Sequence, residues 1–269
     1  MDFWQALILG LVEGITEYLP VSSTGHLLIT QRLIGIPKTA ASDAYAIAIQ
    51  AGAILAVLGL YRQRLSRMAL GLLGRDRDGL RLTLAVAIAF LPAAILGLLF
   101  DDPIERVLFG PWPIVITWTL GGLVLLYFGK IGLGPKGLAI ESVGWRLGLV
   151  IGLCQCAALV PGVSRSLATI LGGVLAGLGM GAAVEFSFLL GLVTLGAATA
   201  YKTLQSGQVM MEAFGVMPML VGAAVACVSA ALAVRFLVYW LTHRGLGLFG
   251  WWRLGAAALV AALLLFGWM

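Results

Sequence analysis

Apolar stretches long enough to cross a lipid bilayer, about 20 residues each, follow one another through this sequence, and charge collects mostly in the gaps between them. Only 11% of the 269 residues are Asp, Glu, Lys or Arg, where a soluble domain carries about 25%. Mean hydropathy is +1.04. A chain with so little polar surface cannot cover itself in water, so it reads as an integral membrane protein. Lipid admits only helices and closed barrels. A barrel would show segments of roughly ten alternating residues, and these runs are continuous. The expectation is an all-α polytopic bundle, one membrane domain over 1–269.

Six spans are predicted, over 44–61, 82–100, 112–130, 183–202, 216–241 and 252–269. Two further apolar regions are interrupted. The first, 3–34, breaks at Leu19-Pro20 and Ser22-Ser23; the second, 146–178, breaks at Pro161-Gly162 and Ser164-Arg165-Ser166. Proline removes a backbone donor and disfavours helix in the residue before it. Each half is too short to span alone, so both regions read as re-entrant helical hairpins.

Gap charges set the orientation. Arg62, Arg64, Arg67, Arg75, Arg77 and Arg81 place their gap in the cytoplasm; Asp101, Asp102 and Glu105 against Arg106 place the next outside. Lys130, Lys136 and Arg146 return the chain to the cytoplasm, the region from Lys202 to Glu212 lies outside, and Arg235, Arg244 and Arg253 mark the last inner turn. The hairpins then enter from opposite faces, the pattern of an inverted-topology repeat with halves of roughly 1–130 and 146–269. Internal similarity is weak: Gly10-Leu11, Glu13 and Pro20-Val21-Ser22-Ser23 align with Gly152-Leu153, Gln155 and Pro161-Gly162-Val163-Ser164 only with a one-residue gap. The net charge of +5 is thus a topology signal and does not point to nucleic acid. Met1 to Trp4 lacks the basic start of a cleavable signal, so none is expected. Cys154, Cys156 and Cys227 sit in apolar runs and read as buried thiols, and Gly173, Gly177 and Gly181 as a helix-packing stripe.

Polarity returns in one segment, EGITEYLPVSSTGH from Glu13 to His26. Ionisable groups at membrane depth are costly and mark sites of chemistry or transport. Glu13 and Glu17 share a helix face; such a pair calls for a cation, a shared proton or a basic partner. Hard divalent ions, Mg2+ or Ca2+, suit two carboxylates. Ser22, Ser23 and Thr24 stand where a second half-helix starts, an anion-binding position. His26 follows at a spacing that sets it beside Ser22 and Ser23 on a helix, a pairing for an activated nucleophile. Arg165, between Ser164 and Ser166 and one turn before Thr169, needs an anion. A phosphate fits its fork, and so does Glu13 or Glu17 across the hairpins. Ser23 and Arg165 are therefore expected to meet in one pocket.

These motifs resemble the undecaprenyl-diphosphate phosphatases of the bacitracin-resistance (UppP/BacA) type. The resemblance rests on EGITEYLPVSSTGH, on PGVSRSLAT from Pro161 to Thr169, on AIQAGAILAV from Ala48 to Val57 and on EFSFLL from Glu185 to Leu190. It implies an inner-membrane enzyme with its active site facing outward. Such an enzyme removes the terminal phosphate of undecaprenyl diphosphate and so recycles the lipid carrier for peptidoglycan and other envelope polymers. By resemblance Glu13 and Glu17 are the acidic, metal-binding pair, Ser23 the catalytic hydroxyl, His26 the histidine and Arg165 the phosphate-binding arginine. Ser22, Thr24, Gln50, Ser164, Ser166 and Thr169 are the substrate-binding candidates. The partners implied are the polyprenyl diphosphate and membrane lipid, with a homodimer left open. Three positions depart from the family pattern: Ala46 where an acidic residue is frequent, Leu167 where glycine is common, and Val193 near a usual proline. A carrier for the monophosphate lipid would use the same broken helices and arginine, but transport needs no nucleophile.

Overall fold

The computed structural model describes residues 1–131 and 137–268, without the side chains of Asp101, Asp102, Glu105 and Arg106. Lys136 and those four charges, used above for orientation, lie outside the described residues or side chains.

The described chain is helical. Six long helices are apolar enough to cross a membrane: α3 (Ala40–Leu60), α5 (Arg77–Leu108), α6 (Pro111–Ile131), α9 (Met180–Phe214), α10 (Val216–His243) and α11 (Gly247–Leu265). Each contains the bulk of an expected span. The protein is a multi-pass membrane protein. Leu84, Leu91, Ile95, Leu98 and Leu99 stand exposed along α5, a face only lipid can cover.

Four shorter helices fill the interrupted regions: α1 (Phe3–Thr16) and α2 (Ser23–Leu33), then α7 (Trp145–Gln155) and α8 (Arg165–Leu175). None reaches the roughly 20 residues a span needs. The gap expected as a loop at 62–81 instead carries α4 (Arg62–Leu72). Arg64 pairs with Glu185 at 2.6 Å and Glu141 at 2.8 Å, and Arg67 pairs with Asp76 at 2.9 Å, so two of the six arginines named for this gap are ion-paired locally. The acidic gap is no loop either, because α5 continues through it to Leu108.

α1 packs on α10 and α7 on α5, while α3 pairs with α9 and α6 with α11. Close approach is made by glycine: a Cβ at Gly10 or Gly14 would strike the α10 backbone, and one at Gly148 or Gly152 the α5 backbone. The expected stripe at Gly173, Gly177 and Gly181 is not such a face. Gly173 lies in α8 against Ala183, Gly177 turns the chain with φ +101°, and Gly181 meets nothing. The thiols of Cys154, Cys156 and Cys227 are free and half-buried.

Candidate active site

Both interrupted regions end in the same local structure. Ser22 (φ 73°) and Ser164 (φ 79°) are the only non-glycine residues with positive φ among those described, and each immediately precedes an eleven-residue helix. This backbone region is uncommon for residues with a Cβ, and such strain clusters at functional sites. The two serines lie 142 positions apart, as do Gly10 and Gly152, and Glu13 and Gln155. The gap that sequence alignment required therefore disappears; only the proline shifts by one. Ser23 at the head of α2 corresponds to Arg165 at the head of α8.

The two heads meet. A cavity of about 480 Å³ has a polar end formed by Glu17, Ser22, Ser23, Thr24, Gln50, Ser164 and Arg165, while Phe90, Ala93, Leu98, Leu159 and Leu195 are among its apolar walls. Glu17, 7% exposed, joins the two heads. Ser23 Oγ donates a short hydrogen bond to Glu17 Oε2. Arg165 Nη2 donates to Glu17 Oε1 at 3.0 Å. Arg165 is further held by the Ser187 carbonyl at 2.9 Å, by the face of Tyr18 at 5.5 Å, and by Gly191, where a Cβ would collide with the guanidinium. Its Nε has no partner. Of the anions weighed for Arg165, the protein itself supplies Glu17.

Other candidates stand behind this surface. Ser166 and Thr169 do not line the cavity, because their hydroxyls serve the scaffold. Ser166 Oγ donates to the Leu19 carbonyl at 2.9 Å, tying α8 to the first break. Thr169 Oγ1 donates to the Arg165 carbonyl at 2.9 Å and meets Ser187 Oγ at 2.7 Å. Both ring nitrogens of His26 are engaged away from the Ser23 hydroxyl. Trp252 Nε1 donates to its Nε2 at 3.0 Å, so Nδ1 carries the proton and donates to the Ser22 carbonyl at 2.8 Å. Its ring also packs on Trp118.

Glu13 is fully buried one turn before Glu17, off the cavity lining, and neither of its oxygens has a hydrogen-bond partner. An unpartnered buried carboxylate needs a proton or a cation. The oxygen-only donor set of Glu13 and Glu17 fits a hard divalent ion. Among the described residues no cluster of three or more His, Cys, Asp or Glu side chains exists, so the protein would supply two ligands at most from these types.

Sequence reasoning passed over three residues. Gln155 entered only as the repeat counterpart of Glu13. It lines the cavity, accepts from Thr194 Oγ1 at 3.3 Å, and leaves its buried Nε2 unpartnered. Thr194 is also in the lining. Arg253, taken as a loop charge, is 0% exposed inside α11. A lone arginine within a predicted span was the available signal. Of the departures, Leu167 is buried with its N–H on Ser164 Oγ at 3.3 Å, Val193 is 39% exposed on α9, and Ala46 is half-buried on α3.

Comparison with known proteins places the chain in a family. The family model described as bacitracin resistance protein BacA matches residues 6–259. A protein of Sorangium cellulosum named undecaprenyl-diphosphatase is 43% identical over 266 residues, covering 96% of this chain and 85% of its own length. One of the same name from Methylococcus capsulatus is 43% identical over 263 residues, covering 96% and 94%. Undecaprenyl-diphosphatase 1 of Chromobacterium violaceum is 41% identical over 259 residues, with the same coverage. Matched along nearly its whole length, with its two broken segments meeting at one polar pocket, this chain belongs to the BacA bacitracin resistance protein family.

Proposed function

We propose that this chain hydrolyses undecaprenyl diphosphate to undecaprenyl phosphate and inorganic phosphate, returning the carrier lipid to peptidoglycan and envelope polymer synthesis. The observation that carries the reading is the junction of Ser23, Glu17 and Arg165 at the polar end of a cavity whose other walls are mostly apolar. A diphosphate headgroup matches the first part and an isoprenoid chain the second. A carrier would need the anion site but not the hydroxyl paired with a carboxylate. The names of the relatives give that alternative no support.

In the proposed reaction the terminal phosphate displaces Glu17 from Arg165, whose fork then stabilises charge on the phosphoryl oxygens. Glu17, released from its ion pair, takes the proton of the attacking hydroxyl, that of Ser23 or of a water it holds, as the bond from the terminal phosphorus to the bridging oxygen breaks and undecaprenyl phosphate leaves; on the Ser23 route, water then hydrolyses the phosphoserine to inorganic phosphate. The carboxylate already accepts that hydroxyl's hydrogen bond, which meets the geometric requirement for a general base. His26 holds the Ser22 carbonyl and so steadies the strained turn before Ser23. Glu13 and Glu17 would hold a Mg2+ or Ca2+ ion, which when bound would polarise the diphosphate.

The re-entrant hairpins and the inverted repeat belong to the same proposal. They are supported by the equivalent serines, by the shared offset, and by packing in which α1 lies on a helix of the second half and α7 on a helix of the first. The cavity extends from Gln50 and Phe90 toward Leu98 of α5 and Tyr201 of α9, away from arginine-rich α4. With that arginine face in the cytoplasm, the cavity opens to the outer side of the inner membrane.

The deciding experiment is phosphate release from undecaprenyl diphosphate by the detergent-purified protein, with EDTA and with added Mg2+ or Ca2+. Metal-dependent release is expected. No release under any condition overturns the phosphatase reading, and full release in EDTA overturns the metal assignment.

A further inference from the structure

Arg253 carries a buried charge with no acidic partner among the described residues. A guanidinium has five N–H donors, and five backbone carbonyls receive them. Nε donates to Trp118 at 3.4 Å, Nη1 to Pro20 at 3.2 Å and Val163 at 3.0 Å, and Nη2 to Thr117 at 2.9 Å and Gly162 at 2.6 Å. Two of these carbonyls belong to α6, one to the break before α2 and two to the break before α8. The side chain thus pins both breaks to the same transmembrane helix.

Its grip falls next to the strained residues. Val163 immediately precedes Ser164, and Pro20 stands two residues before Ser22. Strained backbone persists only where its surroundings over-determine it, and here those surroundings include a fully satisfied guanidinium. The peptide bonds are all trans, so a carbonyl and the N–H of the same peptide point in opposite directions. Drawing the Val163 carbonyl toward Arg253 turns the Ser164 N–H away from it, at the head of α8 where Ser164 and Arg165 line the cavity.

We propose that Arg253 is a positioning residue for the reaction: through the carbonyls of Pro20, Gly162 and Val163 it fixes the registration of Ser23 against Arg165. This rests on the phosphatase reading above. Arg253 itself touches no cavity surface.

Two substitutions test it. Arg253→Lys keeps the charge but replaces a planar five-donor fork by one nitrogen with three donors. Gly121→Ala acts from α6: a Cβ there would lie 2.4 Å from Arg253 Nη2, displacing the fork without altering any lining residue. Phosphate release is measured per folded molecule, well below the melting temperature of each variant. Both are expected to lose roughly 10²-fold in kcat, as misplaced reacting groups do, with KM within about twofold of wild type. The double variant should be no worse than the weaker single one, because both act through one contact. A purely structural role predicts a lower melting temperature but wild-type kcat per folded molecule, and that result overturns the proposal. If Arg253→Lys does not fold, Gly121→Ala decides alone. Absence of release by wild type would instead overturn the phosphatase reading.

Discussion

At the scale of single residues, the site depends on Glu17 doing two things at once. It accepts from Ser23 with one oxygen and from Arg165 with the other. In the proposed reaction Ser23→Ala removes the attacking or water-holding hydroxyl and leaves the ion pair, and Glu17→Gln removes the proton acceptor. Each should lower phosphate release by roughly 10²–10⁴-fold, and Ser23→Ala should still be stabilised thermally by undecaprenyl phosphate. Release above a tenth of wild type by Ser23→Ala would remove that serine from the reaction. Glu17, Ser23 and Arg165 were legible in sequence because polarity within apolar flanks is conspicuous. The partner of His26 was not, since Trp252 approaches from 226 positions away. A helical spacing told which face His26 shares, but only the fold tells which neighbour claims its nitrogens.

At the scale of elements, the six spans and both interruptions could be read from hydropathy and proline, because lipid enforces helix wherever charge is absent. The paths of 62–81 and 101–108 could not, since charge there suggested loops while local propensity continued the helix. Glycine shows which element contacts are tightest. A Cβ on Gly52 of α3 would fall 1.9 Å from the Ala223 carbonyl of α10, while Gly59, two turns on, faces open space. Gly52→Ala should therefore cost about 1–3 kcal/mol, seen as a lower melting temperature in detergent, and Gly59→Ala nothing. Equal melting temperatures would mean that α3 and α10 separate freely. Outside the membrane, the Arg64 guanidinium hydrogen-bonded to Glu141 holds that carboxyl below its ordinary value. A lowered folded value means stabilisation present above the ordinary value of 4.5 and lost as pH falls through the folded one. Glu141 is 43% exposed, so the pair contributes at most about 1 kcal/mol. The melting-temperature difference between wild type and Glu141→Gln should shrink as pH is taken from 6 toward 3 (about the range of carboxylate titration). A constant difference would assign the contribution to packing.

At the scale of the whole molecule, two interrupted segments each contribute one helix head to a shared site, Ser23 from the first and Arg165 from the second. The meeting of Ser23 with Arg165 was legible in sequence, but the offset shared by the two segments was hard to see, because at that offset serine stands opposite arginine and Glu13 opposite Gln155. Positive φ at Ser22 and Ser164 marks the matching positions where the side chains around them differ. The apolar walls of the cavity lead to Leu98, 70% exposed on a lipid-facing stretch of α5. A substrate taken up through such an opening is counted per unit of bilayer, not per litre of buffer. Kinetics should then follow surface dilution: adding detergent at fixed lipid should raise the apparent bulk KM in proportion, while KM expressed as mole fraction in the micelle stays constant. A bulk KM indifferent to detergent would place the entrance in water. For an enzyme entered from the side, membrane composition itself sets the rate, and any amphiphile that crowds the leaflet at the entrance acts as a competitor without ever touching the phosphate site.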